Sequence, residues 1–116
     1  MARMLVLDDE PLIATLLNEW LQELGHGPIH VSHSLADALA AAETASLDAA
    51  ILDLILGQAD SLPVAELLRR RGIPYALASG HGAPPELAGF DGALFLPKPF
   101  EFEDVRATVT RMLGRS

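Results

Sequence analysis

Short apolar runs alternate along the chain with segments in which apolar residues recur at helical spacing. Met4-Leu5-Val6-Leu7 ends at Asp8-Asp9-Glu10 and reads as a first strand. Pro11 suits the first turn of a helix. Leu12, Ile13, Leu16, Leu17, Trp20, Leu21 and Leu24 then form one stripe, expected to be core contact throughout, and Gly25 is its stop. Pro28-Ile29-His30-Val31 is a weaker second strand, with Ser32 and His33 just past it. Ser34 is placed to cap a second helix, with Asp37 as a favourable first-turn charge. Leu35, Ala38, Leu39 and Ala42 give that helix its buried side, and the small alanines imply close approach to the sheet. Leu47 to Asp53 is the third strand, in which Ala49-Ala50-Ile51-Leu52 runs straight into a carboxylate.

A loop over Leu54 to Asp60 leads to Ser61, the expected cap of a third helix with Val64, Leu67 and Leu68 inside and Gly72 at its end. Arg69-Arg70-Arg71 falls in its last turn, where cations complement the helix dipole. Ile73 to Ala78 is the fourth strand and ends at Ser79-Gly80. Residues 82–91 contain Pro84-Pro85 and Gly89, which leave room for a fourth helix of about two turns. Ala93 to Leu96 is the fifth strand, followed by Pro97-Lys98-Pro99-Phe100. The final helix has Glu101, Glu103 and Asp104 early, Arg106, Arg111 and Arg115 late, and Phe102, Val105, Val109, Met112 and Leu113 as its apolar contacts. Repeated β-α alternation over 116 residues argues for one domain of the α/β class, a parallel sheet with helices on both faces.

Composition narrows this picture. Half of the residues are apolar and there is no cysteine, so stability must come from packing. No run approaches a membrane span, and the N-terminal apolar run is too short for a signal-peptide core; a cytoplasmic protein is expected. A net charge of -8 disfavours non-specific nucleic-acid binding. Of the 8 basic residues only Lys98 is lysine, which suggests that a compact ammonium is wanted there rather than a planar fork.

The chemistry lies at the strand ends. In a parallel sheet the carboxyl ends of all strands share one edge, the edge where open α/β sheets bind ligands. Asp8 and Asp9, Asp53, Ser79 and Lys98 each follow an apolar strand and so converge there. Each has an ordinary explanation when taken alone: a helix cap, a strand-closing turn, a loop charge. Together they form a site. Three neighbouring carboxylates repel and would raise a pKa unless a cation intervenes. A hard divalent ion such as Mg²⁺ answers that need. The ammonium and the hydroxyl suit the remaining oxygens of a phosphoryl group, and an Asp carboxylate is a competent nucleophile toward phosphorus.

With these residues in this order, the chain resembles the receiver domains of bacterial two-component response regulators over essentially its whole length. The resemblance implies a doubly wound, flavodoxin-like (βα)5 fold with strand order 2-1-3-4-5, here with a reduced fourth helix. It implies that Asp53 accepts phosphate from a histidine kinase or histidine phosphotransferase. Asp8, Asp9, Asp53 and the backbone carbonyl of Ile55 would hold Mg²⁺. Ser79 and Lys98 would bind the phosphoryl oxygens, Ser79 and Phe95 would act as the switch, and the Lys98-Pro99 bond would be cis. The Tyr75 to Gly82 segment is similar to a subgroup rich in stand-alone receivers, with Ser79 in place of Thr and Leu77 in place of Phe. Ile55 is apolar where polar residues are common in the family. That points to restricted water access and slow loss of phosphate.

The function expected is a phosphorylation-switched signalling module with an unknown protein target. Neither a DNA-binding output domain in this chain nor a membrane partner is expected, and no turnover beyond the module's own phosphotransfer and dephosphorylation. A phosphohydrolase of the haloacid-dehalogenase type is the competing enzyme reading. It lacks the second Asp that such enzymes carry two residues after the nucleophile, where Ile55 stands. A non-phosphorylated interaction module is a third reading, opposed by the intact acidic pair, Asp53, Ser79 and Lys98. No Gly-rich loop ending in Gly-Lys-Ser/Thr supports a P-loop nucleotide site. His81 reads as a loop residue, and His26, His30 and His33 form no metal-ligand pattern.

Overall fold

Strands β1 (Met4–Leu7), β3 (Ala49–Asp53) and β6 (Tyr75–Ser79) are buried at every position, as continuous apolar runs in the middle of a sheet must be. Strand β2 (Ile29–Ser32) flanks β1 on one edge and β7 (Leu94–Pro97) flanks β6 on the other. The order is β2-β1-β3-β6-β7 and every pairing is parallel. Counted along this sheet alone, the strands run 2-1-3-4-5, the doubly wound order. The computed structural model describes residues 2–80 and 94–114. The expected fourth helix in 82–91, His81, Ala93 and the chain's outermost residues lie outside the described residues.

Side-chain alternation divides the strands between two cores. Leu5, Leu7, Ala50, Leu52 and Leu77 meet Ala38, Ala41 and Ala42 of helix α2 (Leu35–Thr44) and Val64, Ala65 and Leu68 of α3 (Leu62–Arg70) on one face. Met4, Val6, Ile51, Ala76 and Ala78 meet Ala14, Leu17 and Leu21 of α1 (Pro11–Glu23) and Val105, Val109 and Met112 of α4 (Phe102–Met112) on the other. Trp20 is half-buried and packs edge-on against Phe100 and Phe102, with ring centroids 6.3 Å and 5.7 Å away. Among the described residues no helix is long and apolar enough to cross a membrane.

The local signals held at several ends. Ser34 Oγ accepts the Asp37 N–H at 3.2 Å and caps α2. Asp104 reaches back to the Glu101 N–H at 2.7 Å at the start of α4. Gly25 (φ 92°) and Gly72 (φ 73°) close α1 and α3 in a left-handed conformation that favours glycine. Arg71 does more than complement its own helix: its guanidinium donates to the Ala42 and Ala45 carbonyls at the end of α2, at 2.5 Å and 3.0 Å.

Other expectations are corrected. Leu12 is 85% exposed, because it lies on the side of the first turn away from the buried Ala14, two residues and about 200° further round the helix. The loop over residues 54–60 is a tight antiparallel hairpin of β4 (Ile55–Leu56) and β5 (Ala59–Asp60), with Gly57 at φ 62° in its turn. Ser61 makes no side-chain cap. The Asp60 carboxylate takes the Leu62 N–H at 3.0 Å instead, and the buried Ser61 hydroxyl has no hydrogen-bond partner among the described residues. The third and fourth strands begin two residues later than expected, at Ala49 and Tyr75. The Gly27-Pro28 bond is cis, which nothing in the sequence signalled.

Candidate functional site

The parallel register brings the strand ends level. Leu7 pairs with Ser32 and Leu52, Asp53 with Ala78, and Ser79 with Pro97. Asp8 therefore emerges beside Asp53, and Lys98 beside Ser79. The main chain ties them further. The Lys98 N–H donates to the Ser79 carbonyl at 3.0 Å, and the Leu54 N–H to the Ala78 carbonyl at 2.9 Å.

Asp8 leaves β1 through a turn of its own making. Its N–H donates to the Ser32 carbonyl at 3.1 Å, and its Oδ1 accepts the Glu10 N–H at 2.9 Å. A carboxylate taking the N–H two residues on is the local bond that lets Asp close a strand. The chain then passes through Pro11 into α1. Asp8 and Asp53 are buried, whereas Asp9 is exposed. Carboxylate oxygens of all three lie within 4.8 Å of one another.

Among the described residues, Lys98 is the cation that answers this cluster. Lys98 Nζ stands 3.2 Å from Asp53 Oδ1 and 3.5 Å from Asp8 Oδ2. It does not suffice. Burial and the neighbouring Asp8 charge push the Asp53 carboxyl up from 3.8 to about 6, against the pull of Lys98 and with a further push from Asp9. For Lys98, burial works against the ammonium, but the Asp8 charge and the contact with Asp53 outweigh it, and its pKa is raised. The cluster thus retains more negative charge than its lysine neutralises. All of the donors are hard oxygens, and the cleft above them is open. A divalent cation of the Mg²⁺ kind fits this donor set.

The cleft is walled by Asp9, Glu10, Asp53, Ile55, Ser79 and Lys98. The structure thus brings together Asp8, Asp9, Asp53, Ser79 and Lys98, as the strand ends implied. Ile55 lies on the rim, 55% exposed, on the first strand of the small hairpin. Phe95 stands apart from the cleft. It is 37% exposed on β7, opposite Leu77 in register and pointing to the other face from Leu94 and Leu96. The Lys98-Pro99 bond is cis.

Two residues were missed. Glu10 lines the cleft and supplies the N–H that holds Asp8; it is the third member of the acidic run, and that run was its signal. The His33 ring lies 3.2 Å from the Asp8 carbonyl, a contact between residues far apart in sequence that no local pattern announces.

Residues 4–110 match the family model of the response regulator receiver domain. The transcriptional regulatory protein TcrA of Mycobacterium tuberculosis is 35% identical, over 97% of this chain and 46% of its own length. The alkaline phosphatase synthesis transcriptional regulatory protein PhoP of Bacillus subtilis is 32% identical, over 98% of this chain and 49% of its own length. The chain spans about half the length of these curated relatives. Among solved structures, SdrG of Sphingomonas melonis is similar with a TM-score of 0.82 and 37% identity, covering 97% of both chains. The chemotaxis response regulator CheY4 of Vibrio cholerae is similar with a TM-score of 0.84 and 25% identity, covering 97% of this chain and 99% of its own.

Proposed function

Because this chain belongs to the response regulator receiver domain family, a family of signalling domains rather than classical enzymes, we propose that Asp53 is its phosphoacceptor and that the strand-end cleft is where transfer occurs. The observation that carries this reading is the single ammonium of Lys98 facing two buried carboxylates, 3.2 Å from Asp53 and 3.5 Å from Asp8.

Asp53 Oδ attacks the phosphorus of a phosphohistidine on a histidine kinase or histidine phosphotransferase. The new O–P bond forms as the P–N bond breaks. The departing electron pair stays on the imidazole nitrogen, which takes a proton from solvent. With a pKa of about 6, Asp53 is mostly ionised near neutral pH and needs no general base. Asp8, Asp9, Asp53 and the Ile55 carbonyl would hold Mg²⁺, whose charge offsets that of the incoming phosphoryl oxygens. Lys98 leaves Asp53 for a phosphoryl oxygen, and the Ser79 hydroxyl takes another. Their backbones are already joined, so drawing Ser79 inward also moves the end of β6 against β7. Phe95 on β7 then changes its packing, and the altered face is read by a protein target. Dephosphorylation is the domain's own hydrolysis of the acyl phosphate. The setting is cytoplasmic, as a soluble partner of the kinase.

Backbone amide spectra with Mg²⁺ and beryllofluoride, a mimic of aspartyl phosphate, test the reading. The expected shifts centre on Asp53, Ser79 and Lys98 and extend along β7 to Phe95. Shifts confined to exposed acids far from the cleft, or equal shifts in Asp53→Ala, would overturn it.

A further inference from the structure

We infer that His33 is a positioning residue for the acidic trio: its ring holds the peptide that joins Asp8 to Asp9, and so sets where the Asp9 carboxylate stands for the cation. The inference rests on the reading of Asp8, Asp9 and Asp53 as a Mg²⁺ site.

The three carboxylates are not held alike. Asp53 is the last residue of a central strand and needs no further support. Asp8 is pinned through its N–H to Ser32 and through its Oδ1 to the Glu10 N–H. Asp9 is exposed, and among the described residues no hydrogen bond holds its side chain. Its carboxylate can be placed only through its backbone. That backbone is fixed by the plane of the Asp8–Asp9 peptide, since a planar amide carries the Asp9 nitrogen and Cα with the Asp8 carbonyl oxygen.

His33 Nδ1 lies 3.2 Å from that oxygen. A carbonyl only accepts, so Nδ1 carries the hydrogen and donates it. Asp8 is thereby gripped on both sides of its main chain by consecutive residues, Ser32 at the N–H and His33 at the C=O. The grip is itself anchored. Ser32 Oγ donates to Asp37 Oδ2 at 2.5 Å, Ser34 Oγ accepts the Asp37 N–H at 3.2 Å, and His30 Nε2 lies 3.3 Å from the same carboxylate. His33 thus sits between two serines tied to the first turn of α2. A residue built into so fixed a corner can hold a neighbouring peptide in one orientation. His33 is itself exposed, so its hold on the carbonyl comes from the backbone that Ser32 and Ser34 fix on either side of it, not from burial.

Mg²⁺ titration calorimetry at one pH on wild type, His33→Ala, His33→Asn and His33→Gln tests this. Asn places an N–H close to where Nδ1–H stands, whereas Gln places its donor farther out. In His33→Ala the peptide is free to turn away from that orientation, and the expected weakening of Kd is about 3- to 10-fold, at most the worth of one hydrogen bond. His33→Asn should recover most of that affinity and His33→Gln should not. His33→Ala and His33→Gln lose the same hydrogen bond in chelator, so a small fall in Tm is expected there, and the Kd values are compared on variants shown to be folded at the titration temperature. Ala binding Mg²⁺ as tightly as wild type, or Asn no better than Ala, would overturn the role of His33 and leave the metal site standing. A wild type that binds no Mg²⁺ would instead strike the reading of the site itself.

Discussion

Lys98 Nζ lies 3.2 Å from Asp53 Oδ1, and the chain's one lysine thereby meets the buried carboxylate that ends its central strand. The same ammonium stands 3.5 Å from Asp8, so one positive charge serves two buried negative ones. Lys98→Met removes it and leaves both carboxylates without that counter-charge. The expected cost in chelator at pH 7.5 is about 2 kcal/mol, set by the uncompensated buried charge. Saturating Mg²⁺ should stabilise this variant more than it does wild type. Urea unfolding with and without Mg²⁺ measures both quantities, and equal stability of the two proteins in chelator would contradict the arrangement.

Asp53 itself should destabilise the metal-free fold near neutral pH. Burial and the Asp8 charge raise its carboxyl from 3.8 to about 6, so the folded state keeps a proton that the unfolded state releases. The stabilising contribution of that proton is complete below about pH 4 and is lost as pH rises through 6. The full linkage is about 3 kcal/mol, reduced to about 1–2 kcal/mol by solvent in the open cleft. Asp53→Asn should therefore be more stable than wild type at pH 7.5 in chelator, with the gap closing toward pH 4. A gap that does not vary with pH would show that burial is not the cause.

The start of α3 offers a test of capping. Ser61 stands at the expected cap position, but its buried hydroxyl has no partner among the described residues, and Asp60 holds the Leu62 N–H. Ser61→Ala should be neutral or stabilising by up to about 1 kcal/mol, because an unsatisfied hydroxyl leaves the core. Asp60→Ala should cost about 1 kcal/mol. Chemical unfolding of the two variants reads the difference directly. The reverse order of stabilities would restore Ser61 as the cap.

Ile55 stands on the rim of the cleft and exposes its side chain there. On the proposed reading, an apolar rim would admit water poorly to an acyl phosphate at Asp53. Ile55→Asn should speed loss of phosphate by about threefold or more. A single-turnover decay after removal of donor gives the rate, and an unchanged rate in the variant would count against the idea.

The parts legible in the sequence were those with one dominant cause. The central strands read clearly because residues buried on both faces must all be apolar, whereas Asp53, an ordinary turn residue when taken alone, stood out only together with Asp8, Asp9, Ser79 and Lys98. Ser34 read as a cap because its hydroxyl does what a local pattern says. Leu12 did not read correctly, since helical spacing marks a stripe but not which residue of a turn faces the core, and small Ala14 takes that place. The β4–β5 hairpin was hidden by its length, although Gly57 at its turn was a usable signal. The choice of Asp60 over Ser61 depended on which side chain was buried, which is a tertiary fact. The contact of His33 with Asp8 was beyond reach for the same reason: it exists only once β2 has paired with β1.

Asp53 is proposed to take a phosphoryl group in a cation-dependent manner. Intact-protein mass after incubation with Mg²⁺ and acetyl phosphate tests it most directly, with Asp53→Ala alongside. One phosphoryl adduct is expected on wild type, absent from the variant and suppressed by chelator. No adduct under conditions that label another receiver, or an adduct that persists in Asp53→Ala, would contradict it.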